Sequence, residues 1–322
     1  MSKLLTEHII GDSHCDTLWW MDRAGYDFKQ LNASAHIDLP RLRSGKVGLL
    51  FFAVCTAPYS RPGSHLQKSM DYIRYYHQTL EQNREDLLAV ESVAHLKQAP
   101  HEKKIACLLA LEGAEPLEGC PDNLELFFKL GVRALSLTWN KRNMFADGVS
   151  EAITGSKLTR AGRQLLEKMS SLGVILDLAH LSPSCFDDAL ALWPLPPLVS
   201  HTNSQALCDH PRNLSDEQVK KVAEKGGVIG LTFNAPFISG ETVASLDQLV
   251  DHFVHLARVV GVPHLAIGSD FDGIRYPVEE IPDASCYGKL IAALYDRGFT
   301  STEIDLIAGE NLRRLIGACL NE

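Results

Sequence analysis

VILDLAHLS, residues 174–182, decides the fold. A short β-branched, apolar run ends in a histidine, and an amphipathic stretch opened by Pro183 follows. A brief apolar run feeding a helix-period pattern is the mark of a βα unit. The same phrase recurs along the chain: residues 9–13, 47–55, 105–111, 134–138, 174–178, 198–200, 228–233 and 265–268 read as strands. Stretches at 69–94, 124–130, 159–172, 183–192, 216–224 and 246–260 read as helices between them. Thr300-Ser301-Thr302-Glu303 caps a last helix that runs to about Cys319. Eight strands alternating with helices predict an α/β fold, a (β/α)8 TIM barrel, with its active site at the C-terminal strand ends. No GxGxxG follows the first strand and no GxxxxGK[ST] occurs, so a nucleotide-binding open sheet has little support. Residues 1–322 are expected to form a single barrel domain, with 56–104 an elaborated βα connection.

Metal-competent residues stand directly after these strand runs. His14, Cys15 and Asp16 follow the first, and CLLALEG (107–113) ends the third in Glu112. VILDLAHLS ends the fifth in His180, PLVSHTN (197–203) ends the sixth in His201, and LAIGSDFDG (265–273) ends the eighth in Asp270 and Asp272. In a barrel these ends converge on one mouth. Taken singly, each has a bland reading: Glu112-Gly113 as a turn, His180 as a core histidine, Asp270 to Gly273 as an Asx-turn. Their shared position is what turn chemistry alone does not produce. Imidazole nitrogen with carboxylate oxygen suits zinc or a similar divalent ion, and this many donors can hold two ions about 3.5–4 Å apart. Side chains alternate on a strand, so His14 and Asp16 are expected to share the mouth side, with Cys15 packed outward. By the same argument Asp177 is expected to point away from His180. His210 reads as surface.

Bulk composition narrows the class. The net charge of -9 argues against a nucleic-acid partner. No run of about 18 apolar residues predicts a membrane span, and MSKLLTEHII lacks a secretory h-region. Eight cysteines without CxxC pairing read as reduced thiols, which sets the expectation of a cytoplasmic protein.

With these segments in order, the chain resembles the membrane (renal) dipeptidase family, the M19 peptidases of the amidohydrolase superfamily. The resemblance rests on GDSHCDTL, LALEGAEPL, ALSLTWNKRNMFADG, VILDLAHLS, VSHTNSQAL, HPRNLSDEQV, AIGSDFDGI and GENLRRLI, and covers nearly the whole length. It implies two Zn2+ ions per chain: His14 and Asp16 ligate one, His180 and His201 the other, and Glu112 bridges both. It implies that Asp270 is the catalytic acid/base and that Arg212 binds the substrate's C-terminal carboxylate. Mammalian members carry a histidine where this chain has Trp139, so Trp139 is expected to shape the substrate pocket, with Asn140 or Asn143 as nearby donors. Asn234, Phe237 and Tyr59 are candidates to line the same pocket. The resemblance implies a dipeptidase that tolerates a C-terminal D-residue (L-Xaa-D-Xaa), acts on small dipeptides and forms a homodimer. Unlike the animal enzymes, the chain shows no signal peptide or lipid-anchor signal, which points to a soluble bacterial-type member. Two other readings of the same residues stand beside this one. One is another amidohydrolase, acting on N-acyl-D-amino acids or a lactone; the other is a catalytically silent metal-binding scaffold.

Overall fold

The computed structural model describes residues 8–57 and 63–321. Nine strands occur among them: β1 (Ile10–Cys15), β2 (Val47–Cys55), β3 (Leu87–Ala89), β4 (Ile105–Glu112), β5 (Val132–Ser136), β6 (Ile175–Asp177), β7 (Leu198–Thr202), β8 (Val228–Leu231) and β9 (Leu265–Ile267). All their pairings are parallel. Eight of them close a barrel in the order β1-β2-β4-β5-β6-β7-β8-β9, and Asp12 opposite Ile267 joins the last to the first. The predicted (β/α)8 barrel is the observed fold.

The ninth strand, β3, departs from the sequence reading. A single helix was expected over 69–94; the chain instead forms a helix at His65–Gln82, then β3, then a helix at Val93–His101. The Asn83 side chain donates to the Thr79 carbonyl at 2.8 Å where the first of these helices ends. Leu87–Ala89 then pairs with Ile105–Cys107, on the edge of β4 that β5 takes over from Leu109 onward. The helices expected at 124–130, 159–172, 183–192, 216–224 and 246–260 form within a residue of those bounds, whereas those at Thr17–Ala24, Leu39–Ser44 and Tyr287–Asp296 are additional to the sequence reading. Asp216–Glu224 and Leu246–Val260 each start with a reciprocal capping box, Ser215 with Gln218 and Ser245 with Gln248. No helix among the described residues is long and apolar enough to cross a membrane.

Strand alternation sorts the core into two layers. Leu50, Phe52 and Val54 of β2 face the helices, whereas Leu49 and Phe51 fill the barrel interior with Leu108, Ile175, Leu198 and Val228. Leu312, Leu315 and Ile316 of the last helix (Asn311–Cys319) plug this interior from below. Above the apolar floor the interior turns small and polar. The Ser13 hydroxyl lies 2.6 Å from the Ser200 carbonyl and 2.9 Å from that of Ile267. Gly230 and Gly268 face the same point, and a Cβ on either would fall 2.2 or 1.9 Å from the Ser200 oxygen. Only glycine permits this approach.

That layer carries two bulges. Between Asp12 and Cys15, β1 advances three residues while β2 advances two, from Leu50 to Phe52. Between Val199 and Thr202, β7 advances three while β8 advances two, from Ile229 to Leu231. Each extra residue follows a buried serine and re-aims the histidine after it, as bulges beside functional sites do. Gly268→Ala is therefore expected to destabilise the protein by roughly 1–3 kcal/mol, the usual cost of forcing atoms into a packed interior. A thermal melt checks this; an unchanged midpoint would contradict the packing described here.

Candidate metal centre

Five strand ends deliver the site. His14 and His201 reach the mouth because the two bulges turn them inward. Strict alternation, with Ser13 and Ser200 already inside, would send both histidines toward the helices. Glu112 ends β4, and Gly113 turns the chain away at φ 91° while its N–H donates to the Ser136 hydroxyl at 2.9 Å. His180 and Asp270 arrive on left-handed backbone, φ 70° and 65°, as does Asp272 at 67°. Histidine and aspartate tolerate this region better than most side chains, yet such residues persist only where their surroundings hold them. For Asp270 that support is visible: the buried Asp12 carboxylate accepts from the Ser269 N–H at 2.9 Å, its hydroxyl at 2.5 Å, and the Tyr287 hydroxyl. Asp272 accepts from the Thr17 hydroxyl (2.7 Å) and the His36 N–H (2.6 Å), pinning the same loop from its far side.

Glu112 divides the donors into two groups. His14 Nε2 lies 3.5 Å from Glu112 Oε2, 3.6 Å from Asp16 Oδ2 and 3.9 Å from Asp270 Oδ1. Glu112 Oε1 faces the other way, 2.7 Å from His180 Nε2 and 3.6 Å from His201 Nε2. All of these residues are buried or nearly so. His14 Nε2, Asp16 Oδ1 and Glu112 Oε2 are buried without a hydrogen-bond partner among the described residues. Leaving such atoms unsatisfied costs about 1–3 kcal/mol each, and more for charged groups.

The second group makes the same point through its protons. His201 Nδ1 lies 2.8 Å from the Ser200 hydroxyl, which itself donates to Asp177 Oδ2 at 2.5 Å. The hydroxyl therefore accepts from His201 Nδ1–H, and the Nε2 lone pair is left free. His180 Nδ1 donates to Asn140 Oδ1 at 2.7 Å, which frees its Nε2 in the same way. The two free nitrogens stand 2.9 Å apart against one carboxylate oxygen. Two lone pairs at that distance repel unless a cation lies between them. Burial holds His180 down to about 4 with help from Arg212, and holds His201 well below its usual range with help from His14 and Arg212. Both therefore present neutral nitrogens. In the first group burial would lower His14, but Glu112 and Asp16 raise it well above its ordinary value. Burial, joined by repulsion from Asp16 and Glu112, pushes Asp270 up against the pull of His14 and Arg212. The carboxylates of this group demand positive charge. Three imidazoles and shared carboxylates fit divalent ions of the zinc type on both sides of Glu112.

Arg212 is buried beneath the mouth; its Nη2 donates to the His201 carbonyl at 3.2 Å. Among the described residues no carboxylate lies within 4.0 Å of its guanidinium. Phe237 packs under that guanidinium, 5.7 Å from ring centre to Cζ, and stacks on His210 at 4.3 Å. His210, expected at the surface, is thus part of the Arg212 cradle and also accepts from the Arg212 N–H at 3.2 Å. Trp139 lies half-buried at the rim, its ring 5.8 Å from that of His180. Asn234 is half-buried where the short helix Ala235–Ile238 begins; its N–H donates to Thr232 Oγ1 at 3.3 Å, and no hydrogen bond links its side chain to the five donors. Tyr59 lies outside the described residues. Asn143 is consumed by its own loop, accepting from the N–H groups of Phe145 and Ala146 and donating to the Leu137 carbonyl. Cys15 packs outward, its thiol 3.2 Å from the Phe51 carbonyl.

Sequence reasoning missed Asp177. It does not point outward: it follows the interior residue Ile175 by two, so strand alternation turns it inward, where it also accepts from the Ser200 N–H at 2.9 Å. Counting three residues on to His180 misled because the strand ends at Asp177 and the chain then turns through left-handed backbone. Counting two residues back to Ile175 would have found it.

The geometry can be set beside known proteins. The model of the membrane dipeptidase family (peptidase family M19) matches residues 1–321. A dipeptidase of Schizosaccharomyces pombe is 33% identical over 97% of this chain and 81% of its own length. Among solved structures, a metallopeptidase from Rhodobacter sphaeroides liganded with a phosphinate mimic of L-Ala-D-Ala superposes with a TM-score of 0.91 at 25% identity, over 97% of this chain and 99% of that one. A dipeptidase of family M19 gives the same TM-score at 26% identity, over 98% and 99%. Donors converging at a barrel mouth and a family match that runs the length of the chain lead to one conclusion: the protein belongs to the membrane dipeptidase family, peptidase family M19, and is a metallopeptidase.

Proposed function

We propose that this chain is a binuclear zinc dipeptidase that hydrolyses dipeptides with a free C-terminal carboxylate, including those ending in a D-residue. The observation that carries the substrate class is Arg212. A buried guanidinium with no carboxylate within 4.0 Å among the described residues awaits an anionic partner, and its planar fork suits a carboxylate. Tolerance of a D-residue is supported by the relative crystallised with a mimic of L-Ala-D-Ala.

His14, Asp16 and Glu112 would hold one ion, and Glu112, His180 and His201 the other. When bound, the pair supplies Lewis-acid polarisation of the scissile carbonyl and an acidified water. Arg212 fixes the C-terminal end, so that the peptide carbonyl lies toward Glu112 rather than the rim. Asp270, 3.9 Å from His14 Nε2, takes the water's proton on a carboxylate oxygen and returns it to the leaving amine. The proton taken in the first step is the one it donates in the second. Trp139 closes one side of the pocket and can donate a single hydrogen bond, without carrying a proton. Asp177, Ser200 and Asn140 lock the two histidines in the tautomers that present Nε2.

Hydrolysis of a panel of L,L- and L,D-dipeptides by the zinc-loaded protein tests this reading, and a panel left intact would overturn it. Asp270→Asn is expected to lower kcat by about 10²- to 10⁴-fold with zinc content unchanged. Arg212→Ala is expected to raise KM by roughly 10- to 100-fold, the worth of a charge-assisted hydrogen bond, with a smaller change in kcat. Ser200→Ala is expected to weaken zinc binding by about 10- to 100-fold in chelator competition, as loss of an outer partner does.

A further inference from the structure

Cys55 ends β2 and stands directly opposite Glu112 in the parallel ladder between β2 and β4. It is buried, and it shares the interior face with Leu49 and Phe51 of the same strand. Five other cysteines are buried, and each places its thiol against a backbone carbonyl: Cys15 on Phe51, Cys107 on Ile105, Cys185 on Ser156, Cys208 on Pro236 and Cys319 on Pro196. Cys55 differs. Its sulfur and one oxygen each from Asp16 and Glu112 all lie within 4.8 Å of one another. Asp16 Oδ1 and Glu112 Oε2, both deeply buried, have no hydrogen-bond partner among the described residues. A thiol can offer these two carboxylates only one weak hydrogen bond, whereas a divalent cation can be shared by all three ligand atoms.

We propose that Cys55 is a thiolate ligand to the ion held by His14, Asp16 and Glu112, giving that ion a nitrogen, oxygen and sulfur donor set. The inference rests on the reading that these three residues bind a metal, and it extends that reading to a donor the family resemblance does not supply. On metal uptake the S–H bond breaks, a metal–sulfur bond forms, and one proton is released to solvent. The two ions then differ in kind. The Glu112–His180–His201 ion has only nitrogen and oxygen donors, whereas the Cys55 ion is biased toward thiophilic metals such as zinc, cobalt or cadmium over manganese or magnesium.

Cobalt substitution of the full chain tests this, with metal content measured alongside the spectrum. The wild type is expected to take up cobalt and show a near-ultraviolet thiolate-to-cobalt charge-transfer band. Cys55→Ser should abolish the band while retaining cobalt and visible d–d absorption, and Cys15→Ala should leave the band intact. Should Cys55→Ser fail to fold, zinc K-edge absorption on the wild type decides, with a sulfur scatterer near about 2.3 Å expected. Cobalt bound with d–d bands but no charge-transfer band, or a band that survives Cys55→Ser, overturns the thiolate ligand and leaves the dipeptidase reading standing. Failure of the wild type to bind any metal overturns both.

Discussion

One carboxylate organises this protein. Glu112, itself buried, turns one oxygen toward His14 and Asp16 and the other toward His180 and His201. Burial alone would raise its pKa, yet His14 holds it well below the usual carboxylate range. A carboxylate charge buried there calls for positive charge beside it. The remaining features of the mouth can be read as ways of bringing donors to that one residue.

The cost of doing so is spread through the layer below. Two bulges interrupt regular pairing, and two glycines admit the Ser200 carbonyl where any Cβ would collide. His180 and Asp270 occupy left-handed backbone, and a buried aspartate is spent on holding the Asp270 loop. None of this improves packing. A barrel built only for stability would extend its alternating apolar interior to the strand ends. Here the apolar floor stops at Leu49, Leu108, Ile175 and their neighbours, and polar, strained geometry begins above it. Rigidity below and precise aim above are complementary demands on the same strands.

This division explains what could be read from the sequence. Eight barrel strands and most helices were legible because alternation and helical periodicity are properties of neighbouring residues. The donors His14, Glu112, His180, His201 and Asp270 were legible as candidates because each closes an apolar run. The route by which His14 and His201 turn inward was not, since a bulge depends on how two strands register and leaves no mark in either alone. Asp177 was misjudged by carrying strand geometry past the end of a strand. The short strand β3 was hidden inside a helical stretch because three apolar residues satisfy either period. Cys55 passed unnoticed among eight cysteines, for its significance lies in facing Glu112 across the sheet.

The central claim is that Glu112 is shared between two metal ions. Anomalous-scattering diffraction from zinc-loaded crystals, with data on both sides of the zinc edge, tests it most directly. The account predicts two anomalous peaks flanking the Glu112 carboxylate, one beside His14 and Asp16 and one beside His180 and His201. A single peak on one side of Glu112, or zinc bound away from this carboxylate, would contradict it.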